Sequence, residues 1–415
     1  MTNKEHLRKG VIRELVAGVI DGTEAACKLR LSVRQVKRLK HMYIQHGEDG
    51  LIHQARGKQG SRKIDEKIEQ QVVAIIRQNY VDFGPVLATE KLRESHEITF
   101  DPETIRHMMI RAGIWKAKQR RKTTYRCWRE RKESFGELQQ FDGSYHNWFE
   151  GRNPVLPEVC LLASIDDATG KITHAMFDHN EGVVSVFQFW KTYIQLHGIP
   201  LAIYLDKFST YKINHKSAVD NHDLMTQFGR TAKELDIKLI TAHSPQAKGR
   251  VERLFGTLQD RLVKELRLNG INTIPEANLF LSDIFIPWFN TRFAVVPSNE
   301  VDIHRQLSGH IQKQLPSIFS QQSMRSINHD FTIQFHTLFY QLQEVQPTTV
   351  YKTDRVLMEE RLDGSIHILY KNHYLTATVL PGKPKRQNRQ PTILTTHKLN
   401  WTPPADHPWR QFVIS

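Results

Sequence analysis

Between residues 137 and 268 the chain carries three strand-like runs in succession and then alternates helical and strand-like patterns, and that order constrains the fold more than any other feature. ELQQFDGSYHNWF, EVCLLASIDDAT and KITHAMFDHN are dense in β-branched and aromatic residues and read as strands; VVSVFQFWKTYIQLHG reads as a helix and LAIYLDKF as a fourth strand. DLMTQFGRTAKELDI, KLITAH and GRVERLFGTLQDRLVKEL continue as helix, strand and long helix. The resulting order, β-β-β-α-β-α-β-α, specifies an α/β layer built on a mixed sheet.

This is the element order of the ribonuclease-H-like fold, in which the first and fourth strands are neighbours at the sheet centre. Three carboxylates occupy telling places in it. Asp142 lies in the first strand, Asp206 in the fourth, and Glu252 stands in the first turns of the long helix. They are 64 and 46 positions apart, so only the fold can bring them together and a local metal loop is excluded. In the helix, Val251, Leu254, Phe255, Leu258 and Leu262 recur every three or four residues as a buried stripe, with Glu252 at its border. Three such acids would repel one another unless neutralised, and they suit Mg²⁺, a hard cation with oxygen ligands. Two ions about 3.5–4 Å apart would activate a nucleophile and stabilise a leaving 3′ oxygen. Asp166 and Asp167 are the rival pair; standing just before Thr169-Gly170, they read as turn residues.

The excess of basic residues, 58 Lys and Arg against 44 Asp and Glu, points to a polyanionic partner, and nucleic acid is the leading one. Residues 1–55 read as three short helices in a helix-turn-helix layout, with Thr23 and Ser32 as expected caps. The third helix would be the reader, presenting Arg34, Gln35, Lys37, Arg38 and Lys40 to base edges and phosphates. Residues 56–63 form a basic linker with Arg56 and Lys58, and residues 64–115 a second helix-turn-helix with Asp101 as cap, Pro102 at the first helical position and Arg106 as a DNA contact. In the connector of residues 116–135, Lys116, Lys118, Arg120, Arg121, Lys122, Arg126 and Arg129 interleave with Tyr125 and Trp128, cations for phosphates and rings for unpaired bases. Lys248 and Arg250, with His243, Ser244 and Gln246, lead into the Glu252 helix as substrate-positioning candidates.

The core is expected over residues 136–300, followed by a helical linker over 301–330 and a small β-barrel over 331–382 with a hairpin at Asp363-Gly364. Residues 383–415 form a basic, Pro-rich tail. Cys27, Cys127 and Cys160 are too few for a disulfide framework or a zinc site, and no run of about 18 apolar residues exists to span a bilayer, so a cytoplasmic, nucleoid-associated protein is expected.

The runs FDGSYHNWFEGR, LASIDDATGKI, YLDKFSTY and SPQAKGRVERLFGTLQDRL resemble the DDE-type transposases of bacterial insertion sequences, in particular the ISNCY-like group, and more distantly retroviral integrases. The resemblance covers most of the chain. It implies an integrase catalytic core with the triad at Asp142, Asp206 and Glu252, two Mg²⁺ ions per site with Mn²⁺ as a substitute, and terminal inverted repeats and target DNA as partners of a homo-oligomer. The His-His-Cys-Cys zinc domain of retroviral integrases has no counterpart before Asp142. The interval between Asp206 and Glu252 exceeds the compact retroviral spacing, implying an elaborated loop around KINHKSAVDNHD. Two alternatives remain: a catalytically inactive DNA-binding regulator, and a metal-dependent nuclease that cuts without joining.

Overall fold

The structure is a computed structural model that describes residues 3–52, 64–117, 130–205, 221–241, 249–382, 393–394 and 406. The chain divides into two compact units, Met1–Arg121 and Lys122–Ser415.

The first unit is helical. Helices α1 (Asn3–Val16), α2 (Gly22–Leu29) and α3 (Val33–His46) close on Ile12, Leu15, Ala25, Val36 and Leu51. Ser32 caps α3 as expected, through a capping box in which the Gln35 N–H donates to Ser32 Oγ and the Ser32 N–H to Gln35 Oε1. The cap of α2 differs from expectation: Asp21, not Thr23, accepts the N–H groups of Thr23 and Glu24. A carboxylate two residues earlier reaches both orphan donors, which a threonine already inside the helix cannot. A second group, α4 (Glu66–Asn79), α5 (Pro85–His96) and α6 (Pro102–Arg111), packs around Val72, Ile76, Phe83, Leu92, Ile105 and Met108. Asp101 caps α6 and Pro102 opens it.

The second unit begins with the short strand β1 (Ser134–Phe135), followed by β2 (Gln139–His146), β3 (Val159–Asp166), β4 (Ile172–Asp178), α7 (Val183–His197), β5 (Ala202–Leu205), α8 (Asn221–Glu234), β6 (Lys238–Thr241) and α9 (Gly249–Leu268). The five-stranded sheet has the order β4-β3-β2-β5-β6, antiparallel as far as β2 and parallel beyond it. The first and fourth strands of the core are therefore central neighbours, as the element order requires. β3 is buried along its whole length because helices cover both faces. Cys160 and Leu162 face α7 and α8, whereas Leu161, Ala163 and Ile165 face α9 and the helices after it.

Those later helices, α10 (Ile274–Phe280) and α11 (Ile286–Phe293), are joined by a π-helical turn at Leu281–Phe285. The turn has a visible use. The Asn278 amide exchanges two hydrogen bonds with the Phe177 backbone (2.6 and 3.1 Å), and the Asn290 amide exchanges two with Ile172 (both 2.8 Å). Twelve α-helical residues would leave the two asparagines about a third of a turn out of phase, and the wider turn absorbs the difference. The outer edge of β4 is thereby covered by side-chain amides.

β7 (Asn299–Asp302) pairs with β1, and α12 (Gly309–Ile318) adds Leu315 and Ile318 to the α7 face of the core. Strands β8 (Gln321–Ser326), β9 (Thr332–Phe335), β10 (Leu338–Leu342), β11 (Val350–Tyr351), β12 (Arg355–Glu360), β13 (Ile366–Tyr370), β14 (His373–Leu375), β15 (Ala377–Leu380) and β16 (Ile393–Leu394) follow. The Asp363-Gly364 hairpin joins β12 to β13, with Gly364 at a φ of 79°. No closed barrel is found among the described residues: a four-stranded sheet, β14-β13-β12-β8, and a three-stranded one, β15-β10-β9, share a single core. The chain changes sheets at Thr376, whose N–H donates to the side-chain Oε1 of buried Gln346 (2.9 Å) and whose carbonyl accepts from Gln346 Nε2 (2.8 Å) and from the Gln343 N–H just after β10 (3.0 Å). β8 also starts within the stretch expected to be a helical linker. No helix among the described residues is long and apolar enough to cross a membrane.

Candidate active site

Asp142 sits half-buried in the middle of β2, flanked by Gln140 and Ser144 on the same face of the strand. α9 lies along that face and is fixed to it at two points. At its start the Val251 N–H donates to Gln140 Oε1 (3.3 Å), and two turns further on Gln259 Nε2 donates to Ser144 Oγ (3.2 Å). Glu252 is exposed and lies seven residues before Gln259, on the same side of the helix. Those seven residues rise about 10 Å, and the same length measured back from Ser144 along an extended strand ends close to Asp142. Glu252 thus stands at the end of the helix that is fixed to β2 beside Gln140. Val251, Leu254, Phe255, Leu258 and Leu262 are all buried, so the apolar stripe read from the sequence is the one that seats the helix.

Asp206 follows the last described residue of β5, Leu205, and lies outside the described residues, as do Arg56, Lys58, Lys118, Arg120, Arg121, Lys122, Tyr125, Arg126, Trp128, Arg129, His243, Ser244, Gln246 and Lys248. Among the described residues no three His, Cys, Asp or Glu side chains form a metal-binding group.

Gly143 has a steric role. A Cβ there would stand 2.6 Å from Glu181 Oε2, so glycine lets the Glu181 carboxylate close against β2 on the face opposite Asp142. The Glu181 N–H in turn donates to the Tyr145 hydroxyl (2.9 Å), and burial pushes that phenol up to about 12.

Asp166 and Asp167 are fully buried and saturated with donors. Asp166 accepts from the Gly136 N–H, Gln139 Nε2, the Thr169 N–H and the Thr169 hydroxyl; burial raises its pKa while these bonds pull it down. Asp167 accepts from the Lys132 N–H, Gln140 Nε2 (2.6 Å) and Arg250 Nη1 (2.8 Å). Both sit at the turn between β3 and β4, where the sequence placed them; Asp167 anchors α9 through Arg250, while Asp166 ties the turn to β2 and to the Gly136 backbone. Two adjacent glutamines at the start of β2 were the sequence signal for this network.

Of the expected DNA contacts, Arg34, Gln35, Lys37, Arg38 and Lys116 are exposed. Lys40 differs, because its ammonium reaches back to the Leu15 carbonyl at the end of α1 (3.4 Å). Arg106 pairs with Glu103 one turn earlier. Arg250 is held by Asp167, with only 13% of its side chain exposed.

A helical first unit and an α/β core with an acid on its central strand define a multidomain α/β protein. Residues 7–59 match a family described as a helix-turn-helix domain. The chain is 37% identical over 376 residues to the putative transposase y4bF of Sinorhizobium fredii, covering 90% of this chain and 80% of that protein. It is 29% identical over 441 residues to the transposase for insertion sequence IS1202 of Streptococcus pneumoniae, covering 96% and 92%. The chain belongs to the transposases of bacterial insertion sequences. Among solved structures it is similar to the catalytic core domain of HTLV-2 integrase in complex with magnesium, at 17% identity and a TM-score of 0.29 over 40% of this chain and 93% of that one. A simian T-cell lymphotropic virus intasome in complex with a PP2A regulatory subunit matches at 13% identity and a TM-score of 0.30, over 75% and 99%.

Proposed function

We propose that the chain cuts DNA at the ends of its element and joins the exposed 3′ hydroxyl to target DNA, with Asp142, Asp206 and Glu252 as a DDE triad in a ribonuclease-H-like core. The observation that carries this reading is the two-point fixing of α9, the helix that bears Glu252, along the Asp142 face of β2. β5 pairs in parallel with β2, Gln139 with Ile203 and Gln140 with Tyr204, and in the sequence Asp206 follows Leu205, the last described residue of β5.

Half-buried Asp142 and exposed Glu252 offer oxygen donors on facing elements, a set that fits a hard divalent cation such as Mg²⁺. When bound, such a cation supplies Lewis acidity at the phosphoryl group. The Gln140–Asp167–Arg250 network holds strand and helix at fixed separation, so the carboxylates are positioned before DNA arrives. In the first unit, exposed Arg34, Lys37 and Arg38 on α3 read the element's terminal repeats, and the chain works on DNA as a homo-oligomer because two ends must meet.

Labelled duplexes from the ends of the insertion, incubated with supercoiled plasmid and Mg²⁺, should give cut and joined products. Asp142→Asn and Glu252→Gln should each abolish both while leaving end binding in gel shifts unchanged. Normal cleavage by Asp142→Asn overturns the triad, and cut ends without joined product favour a nuclease.

A further inference from the structure

Beside the start of α9, on the flank turned away from Glu252, a cavity of about 250 Å³ opens between α9, α11 and the turn after β3. Arg131, Arg250, Arg253 and Thr257 line it together with the rings of Phe289 and Phe293. Its chemistry is two-sided. Phe289 is buried and forms an apolar floor, while Phe293, packed against it with ring centroids 4.7 Å apart and flanked by the Arg261 and Arg292 guanidinium groups (5.4 and 5.8 Å), keeps 38% of its surface exposed. The lining itself carries three guanidinium groups, and among the described residues it contains no carboxylate.

The cations are held in place. Arg131 Nη1 donates to the carbonyl oxygens of Asp167 and Ala168 (3.2 and 3.4 Å), and it packs over Gly170, where a Cβ would stand 3.4 Å from it. Arg250 is fixed by Asp167, which also holds Gln140, two residues from Asp142. The positive end of the α9 dipole adds to the same field. Neither a purely apolar ligand nor a bare anion uses both halves of such a cavity. A nucleotide does, with its base against an aromatic ring and its phosphate among arginines. A paired base is already stacked in its duplex, so the nucleotide that gains from this cavity is an unpaired one.

We propose that this cavity takes one unpaired nucleotide of the DNA end, with the base stacked on Phe293 and the phosphate between Arg131 and Arg253. The proposal rests on the reading of the chain as a transposase acting on DNA ends, and it adds a device for recognising a melted or frayed end beside the cutting site.

The test is a binding comparison with the full chain in the absence of divalent metal, so that no cutting occurs. Two probes are used: a blunt duplex from the end of the insertion, and the same duplex with a few mispaired terminal nucleotides, one of them 2-aminopurine. The wild-type chain should bind the mispaired end about tenfold more tightly and quench the 2-aminopurine fluorescence. Phe293→Leu, which keeps apolar volume, and Arg253→Gln should each reduce that preference to within about twofold and leave blunt-duplex affinity unchanged. Equal binding of the two ends by the wild type, or a preference that survives both substitutions, overturns the proposal. Asp142→Asn should retain the preference, so a failure of the triad and a failure of the cavity are read separately.

Discussion

Two sets of carboxylates stand within a few residues of each other on the central sheet, and they are built in opposite ways. Asp166 and Asp167 are fully buried, accept hydrogen bonds from backbone and side-chain donors on several segments and tie β2, the β3–β4 turn and α9 together. Asp142 is half-buried and Glu252 is exposed, on elements that the first set holds in place. Burial with complete satisfaction marks an acid that serves the fold, and accessibility on a rigid frame marks one that can serve a substrate.

Substitutions that separate activity from stability test this contrast most directly. Asp142→Asn should lower strand cleavage by at least about a thousandfold, about 4 kcal/mol in the barrier, with an unchanged melting temperature. A matching loss of stability would put Asp142 with the buried pair. Asp167→Ala should do the reverse: it leaves Arg250 without its buried partner and costs about 3 to 4 kcal/mol, measured by denaturant unfolding. A loss below about 1 kcal/mol would remove the anchoring role.

The opposite face of the sheet carries a third kind of polar group. Burial pushes His174 down from 6.5 to about 4, with neighbouring His197 acting in the same direction, and burial also lowers His197. A histidine whose folded pKa is depressed contributes stability above about pH 6.5 and loses it as pH falls toward 4. Unfolding free energy should therefore drop by about 3 kcal/mol over that window, and His174→Gln should flatten the slope. An unchanged slope would assign the acid sensitivity to other groups. The smallest effect is expected at the covered edge of β4. Asn290→Ala should cost about 1 to 2 kcal/mol by removing the amide that satisfies Ile172, with cleavage retained by the folded fraction. A cost at the level of Asp167→Ala would make this edge as important as the anchor.

The order of strands and helices, the buried stripe of α9, the Ser32 and Asp101 caps and the Asp363-Gly364 hairpin were legible in the sequence because each depends on residues close together in the chain. Asp142 and Glu252 were legible as candidates for the same reason: one interrupts an apolar strand and the other borders an apolar helical stripe. The sequence also showed Asp166 and Asp167 at a turn. Their partners Gln140 and Arg250 lie 27 and 83 positions from Asp167, and no local pattern links them. The bond from Lys40 to the Leu15 carbonyl was not legible either, because basic helix faces look alike until packing sets one of them against a carbonyl. The division of the C-terminal strands into two sheets was not legible at Thr376, where alternation continues unbroken and the Gln346 amide, from a loop 30 residues earlier, bonds the backbone where the chain passes between sheets.

The sequence by itself determined the elements, the first-and-fourth-strand topology and the acids worth testing, since periodicity, capping and turn chemistry act over a few residues. Tertiary structure decided which acids are saturated, which cations are committed and how the C-terminal strands divide, because hydrogen-bond satisfaction and burial are settled only when distant segments meet.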